Sequence, residues 1–218
     1  MRTPDLDNAT IVMLGSFNPT IFQPRWLGAQ HLIRPEEAES AKIEIIRAEV
    51  AEFSTEWFHL QVLQNRLALS SADPGQYSPL RDLAAAMFAI LSHTPVTALG
   101  LNRLFHFKMP SSESWHGVGH LLAPKELWKP IMEGPGLRTM TMEGRHKQPG
   151  GGLLHIKVEP SAKVEQGVYL EINEEFRASG DSESEGAQWV PGRLFQHWDV
   201  TMKFAEETAD YLLGLVKS

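Results

Sequence analysis

The sequence predicts an α+β fold: pseudo-twofold duplicated β-α-β-β-(β)-α units forming one long curved antiparallel sheet with helices on one face. Three observations predict it. The first is an internal repeat: Trp26, Gly28, His31, Leu32 and Ile33 recur with the same spacing as Trp115, Gly117, His120, Leu121 and Leu122. Both copies run on into a Pro-x-Glu triplet, Pro35 with Glu37 and Pro124 with Glu126. Leu14, Gly15 and Asn18 match Leu99, Gly100 and Asn102, and the stretch 58–62 matches 154–158. The second observation is that segments of period two are joined by short turns, which requires antiparallel pairing. The third is that each half closes with an amphipathic segment of helical period. Two copies are too few for a solenoid, so the expectation is a single domain over 1–218 with halves at 9–94 and 95–216.

Taken in order, 9–17 predicts a strand that Asn18-Pro19 ends, and a helix is expected over 21–33. Trp26, Ala29, Leu32 and Ile33 would share one face of that helix. The stretches 42–53 and 57–70 predict two strands in a hairpin, with Phe58, Leu60 and Val62 alternating with His59 and Gln61. A turn is expected at 72–75. Ser78 with Pro79 then caps a helix over 80–92. In the second half, 96–108 predicts a strand, and a helix capped by Ser111 or Ser112 carries Trp115 as far as Met132. Strands follow at 137–143, 153–159 and 167–176, and a helix is expected over 193–216 with Phe195, Trp198, Met202, Ala205 and Leu212 or Leu213 inward. Trp26 and Trp115 are expected as equivalent core residues. The serine-rich acidic stretch 177–186 is expected to be a mobile loop.

At 218 residues the chain can bury one substantial core. A net charge of −7 argues against nucleic acid and against anionic membranes, both of which call for a basic surface. No cysteine is present, which removes disulfides and thiolate chemistry from consideration and fits a reducing compartment, expected to be the cytoplasm. No apolar stretch is long enough to span a bilayer, and the polar start lacks the apolar core of a secretory signal.

Three segments resemble an uncharacterised, sporadically distributed bacterial protein family. They are an early strand ending in Phe17-Asn18-Pro19, the strand with Leu60-Gln61-Val62 before Asn65-Arg66, and Gly100-Leu101-Asn102. The resemblance covers roughly the first half, implies a bacterial origin, and lends no catalytic residue. By analogy of architecture alone, the duplicated sheet is similar to TATA-binding-protein-like and effector-binding folds.

Candidate chemistry is limited. His116 and His120, at i and i+4 on one helix, have the spacing of two metal ligands but lack the glutamate of the H-E-x-x-H pattern. Gly28 with His31, and Gly117 with His120, suit a packing device in which the glycine admits a neighbour and the histidine bonds a carbonyl. Glu171, Glu174 and Glu175, continued by Asp181, Glu183 and Glu185, read as a solvated acidic run. No phosphate loop, nucleophile elbow or dinucleotide fingerprint is present, and no catalytic residue or cofactor is assigned.

His59 and His155 differ in kind. By alternation they project away from the helices, at matching positions in the two halves, and an ordinary histidine pKa near 6.5 would make a site there sensitive to pH. Gln61, Asn102, His106, Lys157, Tyr169, Glu171 and Asn173 are expected on the same face. The expected function is therefore non-enzymatic binding through an open sheet face, to a partner protein or a second copy, in a setting such as bacterial defence. A small-molecule effector domain and a metal-dependent hydrolase using His116 and His120 are the alternatives.

Overall fold

Alternating burial in the first strand, β1 (Leu6–Gly15), defines the two faces of the sheet in this computed structural model, which describes residues 2–178 and 186–216. Ala9, Ile11 and Met13 are fully buried, and Thr10 and Val12 between them point the other way. The strand begins at Leu6 and ends at Gly15, earlier at both ends than the expected 9–17, and Asn18 caps a single 3₁₀ turn, Pro19–Ile21. Instead of one helix over 21–33, the chain makes two short ones, α1 (Pro24–Ala29) and α2 (Pro35–Ser40). Each opens on a proline, which supplies the fixed φ of a first helical residue. His31, at φ +56°, turns the chain between them.

The two strands expected over 42–70 are four: β2 (Lys42–Ile46), β3 (Val50–Ser54), β4 (His59–Leu63) and β5 (Arg66–Ser71). Each expected strand folds back at its middle. One fold is closed by the Arg47 amide on the Val50 carbonyl (2.7 Å), and the other is the tight turn through Gln64 and Asn65. Helix α3 (Tyr77–Ile90) begins before Ser78, so Ser78 is not its cap. The chain enters α3 from a 3₁₀ turn at Pro74–Gln76, which Asp73 caps by accepting from the Gly75 amide (2.9 Å).

In the second half, β6 (Val96–Lys108) has the expected bounds. Helix α4 (Ser112–Leu122) is capped by Ser111, which accepts from the Ser114 amide at 3.1 Å. It stops at Leu122 rather than Met132, because Pro124 has no amide to continue the ladder and drives Ala123 to ψ 88°. The strands β7 (Met140–Arg145), β8 (Leu153–Pro160) and β9 (Gly167–Arg177) follow, and α5 (Trp189–Gly214) is the last helix. Its buried stripe is Leu194, Trp198, Met202, Ala205, Ala209 and Leu213. Phe195, expected inward, is 57% exposed, since it stands one residue, about 100° of helical rotation, away from Leu194. The loop expected at 177–186 lies mostly outside the described residues.

All nine strands form one antiparallel sheet in the order β2-β3-β4-β5-β1-β6-β9-β8-β7. The first strands of the two halves, β1 and β6, are central neighbours. The last strand of each half flanks its first, so β5, β4 and β3 on one side correspond in order to β9, β8 and β7 on the other. One face packs against α3 and α5 and carries the core, in two clusters around Ile11, Leu69 and Phe88 and around Phe105, Leu170 and Ala205. Trp26 and Trp115 are half-buried flanks of these clusters rather than their centres. The matching of Leu14-Gly15 with Leu99-Gly100 does not survive: Leu14 faces away from the core and Leu99 is fully buried, so the two lie on opposite faces.

Candidate functional site

The face of the sheet opposite the helices carries all nine residues expected from the sequence to bind a partner. Its middle is one continuous row across all nine strands, read from the pairing register: Lys42, Ser54, His59, Ser70, Thr10, Asn102, Asn173, His155 and Glu143. Every member is polar. The row is centred on the Thr10–Asn102 pair of β1 and β6, with His59 on β4 and His155 on β8 at equal remove. Five strand spacings separate the two histidines, about 24 Å along the row.

The right half of the row is a directed chain of hydrogen bonds. The Thr10 carbonyl can only accept, so Asn102 presents its amide nitrogen to it (3.2 Å). The Asn102 oxygen then accepts from the Asn173 amide (2.6 Å), and the Asn173 oxygen faces His155 Nδ1 (3.2 Å). His155 Nε2 faces the Glu143 carboxylate (3.2 Å). Gly100 makes room for this chain, since a Cβ there would stand 2.9 Å from Asn173 Nδ2.

On the other side His59 Nε2 meets Glu52 (3.0 Å), which also accepts from Gln61 (3.0 Å). The Gln61 amide first, and His59 behind it, hold the Glu52 carboxyl below the usual carboxylate range against the opposing effect of burial. Each histidine thus has a glutamate on the next strand outward, Glu52 on β3 and Glu143 on β7. Neither glutamate was singled out from the sequence, although 50–54 alternates strictly and puts Glu52 on this face.

The remaining candidates gather at one corner, on β6, β9 and β8. His106 lies against Tyr169 with ring centres 4.9 Å apart and bonds Ser161 Oγ (2.7 Å). Burial, and then Lys163, push the His106 pKa down. Tyr169 donates to Glu171 (2.9 Å), and burial pushes its phenol pKa up. Lys157 pairs with Glu159 (2.8 Å). Gln61 is on the opposite side of the row from this corner, so the nine residues share a face and do not converge on one cavity.

The helix histidines behave differently. His31 lies beyond the end of α1 and His120 within α4, and both are exposed. The adjacent glycines do admit close neighbours: a Cβ on Gly28 would stand 3.0 Å from the Ala38 Cβ, and one on Gly117 would stand 2.8 Å from Val216. Among the described residues no group of three or more His, Asp or Glu side chains is placed to hold a metal, around His116 and His120 or elsewhere.

Two buried charges went unrecognised. Glu174, assigned from the sequence to a solvated run, is 0% exposed. It accepts from the Gly152 amide (2.8 Å), the Thr201 hydroxyl and His146 Nδ1 (2.9 Å). Arg103 is clamped by both oxygens of Asp7 (2.7 and 2.6 Å) and by Glu206 (3.2 Å), with Tyr77 under its guanidinium. Both lie on the helix face, with every partner internal, and so tie elements together.

No protein-family model matches the chain, and no curated protein is significantly similar to it. No helix among the described residues is long and apolar enough to cross a membrane.

Proposed function

We propose that the chain is a non-enzymatic binding protein whose working surface is the sheet face opposite the helices, and that its halves are two copies of one unit. The observation that carries this reading is the uninterrupted polar row, with a histidine–glutamate pair on corresponding strands either side of its centre. A row about 24 Å between its histidines exceeds a small ligand and suits an extended protein surface. Several charges on the face are paired, as in Lys157–Glu159 and Arg177–Glu175. The partner it suits is therefore polar and rich in hydrogen-bonding groups rather than strongly charged.

The test is quantitative affinity capture from the source cells with three baits: wild type, His59→Ala/His155→Ala, and a helix-side control at two exposed residues of α5, Phe195→Ser/Tyr211→Ser. A protein held by wild type and by the control, and lost from the histidine variant, is the expected outcome. Equal retention by the histidine variant, at an unchanged melting temperature, removes the open face as the site.

A further inference from the structure

We propose that two copies of this chain pair about a twofold axis through the turn at 125–132 and the apolar pocket beside α4. This surface is on the helix side of the sheet and is independent of the polar row.

After Pro124 the chain coils tightly, with the Trp128 amide on the Lys125 carbonyl and the Ile131 amide on the Trp128 carbonyl, both at 2.9 Å. The coil turns its apolar residues outward: Leu127 is 72% exposed, Ile131 71%, Met132 48% and Trp128 47%. Single exposed apolar residues need no explanation, but four within six positions make a patch. At about 200 Å² for a large side chain fully in water, the patch exposes on the order of 500 Å².

Nearby is a cavity of about 210 Å³ whose lining is mostly apolar, from Trp115, Val118, Leu137, Val158 and Val168, with His116 and Glu159 also on its wall. It has room for one large apolar side chain. Lys125 and the stretch 134–137, which bracket the turn in sequence, form part of its wall. The residues on either side of the knob in sequence thus complete a hole whose other walls are α4, β8 and β9. A second copy, turned by a twofold axis, offers its knob to this hole and receives the other in return, the self-complementarity that a closed dimer requires.

Two further considerations favour a second copy as the occupant. Twice 500 Å² is about 1,000 Å², the least that a specific interface buries. The chain carries a net charge of −7, yet 125–138 holds Lys125, Lys129 and Arg138 against Glu126 and Glu133. The acidic excess of the chain is therefore not concentrated where the two copies would meet.

The experiment is a mass measurement by sedimentation equilibrium over a wide concentration range, on wild type and two variants. Leu127→Ser/Ile131→Ser removes the knob. Gly119→Met plugs the hole: Gly119 lines the cavity, and its Cβ would stand 3.7 Å from that of Leu137, an ordinary contact. Wild type is expected to approach twice the chain mass. Each variant is expected to stay at the mass of one chain with an unchanged circular dichroism spectrum and melting temperature. A wild type that remains a single chain at every concentration overturns the proposal, as does a dimer that survives both variants or a mass that rises without limit.

Discussion

Replacing Glu174 with alanine should cost about 3–5 kcal/mol, because it strands several buried donors at once. The carboxylate is 0% exposed and serves three donors: the Gly152 amide, the Thr201 hydroxyl and His146 Nδ1. Thr201 is itself 0% exposed and His146 only 8%, so water cannot simply take the place of the lost acceptor. A buried donor left unpaired costs about 1–3 kcal/mol, which for three gives an upper bound that partial hydration of the vacated space then lowers. The neighbouring Glu175→Ala is the control. Glu175 points to the other face and pairs with the exposed Arg177, so its loss should cost no more than about 1 kcal/mol. Urea denaturation of the two variants, compared with wild type at unchanged m-value, gives the answer. A Glu174→Ala cost below about 1 kcal/mol would mean that the carboxylate is not held as described, and the facing of β9 would have to be reassigned.

Gly100→Val should displace the Asn173 amide, because its Cβ would stand 2.9 Å from Nδ2, and should cost about 1–3 kcal/mol as an overpacked site does. Amide resonances of Asn102 and Asn173 should shift together; unmoved side-chain resonances would show that the row is not joined there. Stability should also fall on acidification. Burial holds the His197 pKa below its ordinary value, so the unfolded chain takes up a proton that the folded ring refuses. Stability is therefore full above about pH 6.5 and declines as pH drops through that value. His106, lowered by burial and by Lys163, acts with the same sign. Urea midpoints from about pH 8 to about pH 5 should show this fall, and His197→Phe should flatten part of it; an identical slope in the variant would exclude His197 as a contributor.

The strands of the second half could be read from sequence because their alternation is strict and their bounding turns are rich in glycine and proline. In the first half, Ile43, Ile45, Ile46 and Val50 supply apolar residues on both sides of the turn at 47–49, so a two-strand hairpin and a pair of hairpins look alike. The helix limits failed where one residue overrode a pattern. Pro124 cuts a periodicity that would otherwise run through Leu127 and Ile131, and those side chains are left in water instead of on a helix face. Their exposure is a consequence of that break and has no signature in composition.

The open-face residues were legible for a plain geometric reason: once Leu60 and Ile156 are placed inward, His59 and His155 can only point outward. Their common row was not legible, because it depends on the register of five strand pairs, and register passes through turns whose length alternation does not determine. The same parity argument, applied without exception, would also have found the two buried charges. Val168, Leu170, Ile172 and Phe176 alternate inward, and Glu174 is in phase with them. Leu99, Leu101, Phe105 and Phe107 do the same around Arg103. Counting Glu174 with its acidic neighbours set local charge density above phase, and phase prevails because the pleat of a paired strand offers no third direction. Under the correspondence that takes Thr10 to Asn102, Arg103 stands where the first half has Ile11, and Glu174 where it has Ser71. Half two thus holds two ionisable side chains at positions half one fills with uncharged ones. Their partners come from several elements: Asp7 from β1, Thr201 and Glu206 from α5, and His146 and Gly152 from the turn between β7 and β8. A charge on the core face of a strand therefore forecasts the elements that must arrive to pair with it.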